Sequence, residues 1–195
     1  MILSNVSIHE ALEKGWLVIE PEPAPKTLTD GYKCPYQTSS VDLLLGNEIA
    51  YFKPDLSMAI DLRKGNFPTL FGNNSESVEI SKERAFTLNP GEFVLARTHE
   101  KVTLPILGEG QTSLAARVEG KSSYARCGLL VHFTASTIHS GFSGAITLEL
   151  INLGRFTINL YAESPICQLI IEQVHGIPFP NPSQFQGQTK SGGSK

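Results

Sequence analysis

Between Gly120 and Gly128 the chain reads Lys121-Ser122-Ser123-Tyr124-Ala125-Arg126-Cys127, placing an ammonium, two hydroxyls and a guanidinium in one short segment. If residues 122–127 form a helical turn, Ser122 and Arg126 project from the same face. The start of that turn would offer free backbone N–H groups and a partial positive charge, a seat for phosphate, and Lys121 would add a full charge. A capped surface turn with a solvated arginine accounts for the same residues equally well. Glu149 brings a different chemistry. In the stretch 145–151, Ile146, Leu148 and Leu150 share one face, and Glu149 points to the other beside Thr147 and Ile151. A carboxylate in so apolar a strand is costly unless a partner or a water-filled site meets it. Arg126 is a candidate partner; a structural ion pair or an exposed edge position are the alternatives. Together the two stretches read as the wall of a nucleotide site.

Other catalytic patterns are missing or incomplete. Gly120-Lys121-Ser122 resembles the end of a phosphate-binding P-loop, but that motif needs glycine where Ala115 stands, and a long helix after it. The H-x-E and P-C-x-x-C pair of zinc deaminases is absent, so any deamination here has to proceed without zinc. There is no G-x-S-x-G elbow. His132 sits in an apolar stretch and reads as a core histidine more readily than as a ligand. His9, His99, His139 and His175 lack ligand spacing with the cysteines.

The elements that must hold these residues follow from pattern. A chain of 195 residues, 41% hydrophobic and 18% charged, suits one compact domain. A net charge of -3 with no basic block argues against a nucleic-acid partner. No apolar run approaches about 18 residues, which argues against a membrane span. The first residues lack a signal peptide, and the three cysteines, Cys34, Cys127 and Cys167, are widely spaced; both fit a reducing cytoplasm. Ser4 to Lys14 reads as a helix with capping-box spacing at Ser7 and Glu10, stopped by Gly15. Short strands are expected at 17–19, 37–47, 49–52, 85–88, 93–96, 102–104, 114–118, 129–134, 145–151, 156–161 and 166–174. Residues 26–36 are expected to be irregular, and 53–78 a long surface excursion, either a lid or a variable loop. Turns every 8–12 residues argue an all-β sandwich or barrel. One domain, 1–176, is expected, followed by a mobile tail, 177–195, rich in Pro, Gly, Ser and Gln.

Read together, these stretches resemble the dCTP deaminases, which share a trimeric fold with the dUTPases. The resemblance is carried by Ile2-Leu3-Ser4, Ser40-Val41-Asp42-Leu43-Leu44-Leu45-Gly46-Asn47, and Leu88-Asn89-Pro90-Gly91-Glu92-Phe93-Val94-Leu95-Ala96. It continues through Val102 to Pro105, the 120–128 cluster, Val131 to Ala135, Gly141-Phe142-Ser143-Gly144, Leu148-Glu149, Ile166-Cys167-Gln168-Leu169 and Phe185-Gln186-Gly187-Gln188. It implies a distorted, jelly-roll-like β-barrel of the dUTPase (β-clip) type, a homotrimer with active sites between subunits, and conversion of dCTP to dUTP and ammonia. Mg²⁺ would ride on the triphosphate with no direct protein ligand. By position, Glu149 would take a proton from the attacking water and return it to the base and leaving amine. Ser122 would place the water and Arg126 would orient the site and balance charge. Lys121, in place of the family's more usual arginine, and Ser123 would contact the triphosphate. Backbone near Thr134 and Ala135 would read the cytosine edge, Gln168 belongs with the nucleotide-binding set, and Gln188 and Lys190 would close over the phosphates from the tail.

His139 stands where the family, like the dUTPases, places an aspartate beside the sugar 3′-hydroxyl, and it offers a different donor and acceptor. A dUTPase would want Asp and Tyr where His139 and Phe142 stand and does not require a carboxylate at 149, so the residues favour deamination. A bifunctional enzyme giving dUMP stays open, as does a non-catalytic nucleotide-binding trimer, for which His139 is the support.

Overall fold

The computed structural model describes residues 1–29, 33–53, 59–61, 63, 65 and 67–181. Helix α1 (Asn5–Glu13) opens the chain, and its cap is Ser4, whose Oγ accepts the Ser7 N–H at 3.3 Å. The cap thus falls one turn before the expected Ser7–Glu10 box, because Ser4 already has the extended backbone a cap needs. Ile8 and Ala11 are buried, and Gly15 follows at φ +67° as a left-handed stop.

The rest is mostly strand. They are β1 (Val18–Glu20), β2 (Tyr36–Gln37), β3 (Ser40–Leu44), β4 (Glu48–Phe52), β5 (Ser75–Glu79), β6 (Phe86–Leu88) and β7 (Phe93–Thr103). β8 (Leu114–Gly120), β9 (Leu129–Val131), β10 (Thr137–Ile138), β11 (Ser143–Asn152), β12 (Ile158–Leu160) and β13 (Pro165–Gln173) follow. One sheet runs β5-β4-β7-β11-β9, with β1 also on β7; a second runs β10-β8-β13-β3-β2; β12 and β6 form a ribbon. The sheets do not close on themselves, so the expected barrel is a distorted one, with the core between them. Alternation explains it: Ile146, Leu148 and Leu150 of β11, Ala116 and Val118 of β8, and Leu169 and Ile171 of β13 all point inward and are buried.

Two expectations are corrected. The excursion after residue 52 contains a helix, α2 (Phe67–Asn74), and the edge strand β5. Phe67 and Phe71, one helical turn apart, stack with ring centroids 6.4 Å apart, and Phe52 meets Phe71 at 5.7 Å. That apolar face spans too few residues to stand out beside the turn-like Gly72-Asn73-Asn74-Ser75. The separate strands expected at 93–96 and 102–104 are one continuous β7. Its pairing with β11 shifts between Thr147↔Arg97 and Ala145↔Lys101, so Thr98, His99 and Glu100 bulge opposite Ile146. Thr98 repairs the ladder, its Oγ1 accepting the Ile146 N–H at 2.9 Å and donating to the Glu100 carbonyl at 2.7 Å.

The bulge turns the Glu100 side chain into the interior, where it is 2% exposed and accepts the Leu44 N–H at 2.9 Å. Burial pushes its carboxyl up to about 7. The folded chain therefore holds a proton that the unfolded chain has released above its ordinary 4.5. Stability is full below that value and falls as pH rises toward 7. The loss is about 3 kcal/mol at ~1.36 kcal/mol per pH unit. Glu100→Gln keeps an acceptor for Leu44 without a titrating charge. We expect it to melt higher than wild type at pH 8 and to show a flatter melting profile between pH 5 and 8; a parallel profile would place the pH dependence elsewhere.

Candidate active site

Helix α3 (Ser122–Ala125) is the single turn expected at 122–127, with Arg126 as its C-cap. It is pinned by a contact between two glycines. Gly128, at φ +94°, lies so close to Gly154 that a Cβ at 128 would stand 2.2 Å from the Gly154 nitrogen. Leu153 N–H donates to the Gly128 carbonyl at 2.8 Å, tying the segment to the end of β11. Ser122, Ser123 and Arg126 are exposed. Lys121 is not: its ammonium pairs with Asp42 at 2.6 Å, with 23% and 13% of the two side chains exposed.

Glu149 stands on the outer face of β11, as alternation requires, its side chain 31% exposed. Its partner is His132 rather than Arg126. The β9–β11 register, Val131↔Leu150 and Leu129↔Asn152, brings residue 132 opposite 149. His132 donates its backbone N–H to the Glu149 carbonyl at 2.8 Å, and its Nδ1 lies 2.8 Å from Glu149 Oε2. Arg126 falls beyond the Asn152 end of that ladder, and Asn152 alone is about 10 Å along the strand from Glu149. Among the described residues, no hydrogen bond or ion pair joins Glu149 to Ser122 or Arg126.

The expectation of a satisfied core histidine is half right. His132 is 7% exposed, but its backbone is left-handed at φ +52° and neither ring nitrogen has an aligned hydrogen bond. Nδ1 still approaches Glu149 Oε2 to 2.8 Å, a close polar contact outside hydrogen-bond geometry. Six buried side-chain atoms in the described residues lack a hydrogen-bond partner, and five belong to Arg97, Thr147, Glu149 and His132. Arg97 and Thr147 face each other across β7 and β11, and Glu149 is the next outward residue. Buried polar groups are normally paired, so this concentration marks a face that water, a ligand or another chain completes. Burial alone would raise the Glu149 carboxyl; the His132 ring outweighs it and holds the group below the ordinary carboxylate range. At neutral pH Glu149 is ionised, the state a general base requires. The signal for His132 was available: one histidine and one carboxylate, each alone in an apolar stretch, need each other more than either needs solvent.

The remaining residues distribute as follows. Thr134 and Ala135 lie exposed in the loop between β9 and β10, close in sequence to His132. His139 is exposed at the β10–β11 turn, where its carbonyl accepts the Phe142 N–H at 3.1 Å. Gln168 accepts from Ser40 Oγ at 3.1 Å and donates to the Gly120 carbonyl at 3.2 Å, which braces the strand end that Lys121 leaves. Gln188 and Lys190 lie outside the described residues. Among the described residues no three His, Cys, Asp or Glu side chains group to hold a metal, and no helix is long and apolar enough to cross a membrane.

The molecule is thus an open two-sheet β fold that carries an ionised carboxylate on an incompletely paired face. A family model described as dCTP deaminase-like matches residues 2–174, and the chain belongs to the dCTP deaminase family. The dUMP-forming dCTP deaminase of Dictyoglomus turgidum is 43% identical over 169 residues, covering 87% of this chain and 78% of that protein. That of Methanothermobacter thermautotrophicus is 35% identical over 195 residues, covering 97% and 90%. The dCTP deaminase of Haloarcula marismortui is 35% identical over 208 residues, covering 100% and 94%. Among solved structures, the 2′-deoxycytidine 5′-triphosphate deaminase of Agrobacterium tumefaciens matches in fold with a TM-score of 0.60 at 20% identity, over 89% of this chain and 48% of that longer one.

Proposed function

We propose that the protein deaminates dCTP hydrolytically and carries the product on to dUMP. The observation that carries this reading is the set of unpartnered polar atoms around an ionised Glu149. Water adds to C4 of the cytosine while Glu149 takes its proton. Glu149 hands that proton to the ring nitrogen, where it stays, and then carries the proton of the new C4 hydroxyl to the amine; the C4–N bond breaks, ammonia leaves and a carbonyl remains. His132 keeps Glu149 ionised at the start of the cycle. Ser122 places the water, Arg126 balances charge, and backbone at Thr134 and Ala135 reads the base. Lys121, Ser123 and Gln168 serve the phosphates and His139 the sugar, and Gln188 and Lys190 are assigned to the phosphates as well. Mg²⁺ bound to the phosphates would neutralise part of their charge, with no protein side chain assigned to it. A second water then splits the α–β phosphate bond, releasing pyrophosphate. The dUMP product is favoured over the dUTP expected from the residues alone because relatives at 43% and 35% identity are named dUMP-forming.

The active unit is a homotrimer with sites between copies. This reading is supported by the placement of Glu149 on the outer face of one sheet and the Asp42–Lys121 pair on the outer face of the other, two surfaces that a neighbouring chain can bring together. Incubation with dCTP and Mg²⁺ is expected to release ammonia, pyrophosphate and dUMP in equal amounts; accumulation of dUTP would restrict the activity to deamination. Ser122→Ala and Glu149→Gln, each slow alone, are expected to recover about a quarter of wild-type activity after unfolding and refolding together, the random-mixing share for sites built from two chains. No recovery would place both side chains in one copy.

A further inference from the structure

We infer that Asp42 is a positioning residue for phosphate recognition, acting through Lys121; this rests on the dCTP reading above. On the outer face of the second sheet, Asp42, Gln168 and Glu119 stand abreast on β3, β13 and β8. Lys121 leaves the end of β8 just after Gly120 and reaches across the middle strand, setting its ammonium 2.6 Å from Asp42 Oδ2. Gln168 lies between, tied to Ser40 on one side and to the Gly120 carbonyl on the other, so both ends of the reach are braced. The result is a lysine held by a carboxylate rather than waving in water.

That arrangement has a cost and a use. Asp42 Oδ1 is buried without a hydrogen-bond partner, so the carboxylate is not there to satisfy itself. It also cancels the charge that would attract a triphosphate. A long, flexible ammonium carries much side-chain entropy, and fixing it beforehand removes that loss from binding. Lysine has three donors; one points at Asp42 and two are left for phosphate oxygens. An arginine at 121 would bring a rigid fork of its own, whereas a point charge needs an external hold. Asp42 supplies it.

The test is a double-mutant cycle on ammonia release from dCTP. Lys121→Ala is expected to raise KM about tenfold with kcat within about twofold of wild type. Asp42→Ala should do nearly the same, and the double variant should be no worse than Lys121→Ala alone, because Asp42 has nothing left to hold. Asp42→Asn keeps an oxygen for the ammonium and removes the negative charge. It should hold KM within about threefold while making KM depend more steeply on salt. A purely structural Asp42 would lower the melting temperature and add its effect to that of Lys121→Ala, which overturns the inference. An unchanged KM in Asp42→Ala, or an unchanged salt dependence in Asp42→Asn, overturns it too. Wild-type protein that releases no ammonia from dCTP would instead remove the functional reading itself.

Discussion

Glu149→Gln is expected to slow ammonia release from dCTP by on the order of 10²–10⁴-fold, the usual worth of a positioned acid–base group. Glutamine has the same shape and keeps an oxygen toward His132, but it cannot take a proton from water. The fold should survive, because the carboxylate is 31% exposed and its strand is held by the inward Leu148 and Leu150, both fully buried. Its melting temperature should stay within a few degrees of wild type. dCTP should still bind, since no phosphate contact is removed. The acidic limb of the wild-type profile should lie low, because His132 holds the carboxyl below its ordinary range and activity is lost only as pH falls through that lowered value. Near-wild-type turnover in Glu149→Gln would remove this carboxylate from the chemistry.

Gly128→Ala is expected to be the most damaging Gly→Ala change among the described glycines, at a cost of about 3 kcal/mol or more. Two penalties add. The residue is at φ +94°, where a side chain is strained, and its Cβ would stand 2.2 Å from one backbone atom of Gly154 and 2.4 Å from another. Neither neighbour is a side chain that can swing away. Relief requires separating α3 from the end of β11, which would displace Ser122 and Arg126 together. Gly154→Ala meets the same obstacle from the other side, 2.1 Å from the Cys127 carbonyl. Gly91→Ala is the control: φ is +78°, nothing stands within 4 Å, and only backbone strain of about 1–2 kcal/mol is expected. Urea midpoints of the three variants would check this, and equal losses at 128 and 91 would mean that the glycine contact carries no load.

Much of the candidate site was legible from residue order. The helical turn at 122–125, the outward Glu149 between inward Leu148 and Leu150, and most of the strands follow from period-two alternation and turn chemistry, which act within a few residues. The helix at 67–74 was hidden because its apolar face is one turn long and its neighbours are turn formers. The single β7 was hidden because a bulge interrupts its alternation, and the Thr98 hydroxyl that repairs it acts on a strand far along the chain.

What residue order alone determined was which side chains would be polar on an apolar strand, and so which ones would need partners. Which partners they found was decided by tertiary structure. His132 meets Glu149 through the register of β9 against β11, and Lys121 meets Asp42 across the width of β13. Register is set by how whole faces pack into one core, so a shift of one residue would turn Glu149 inward and leave His132 facing a leucine. Local pattern carries no record of that alignment; packing of the two sheets does.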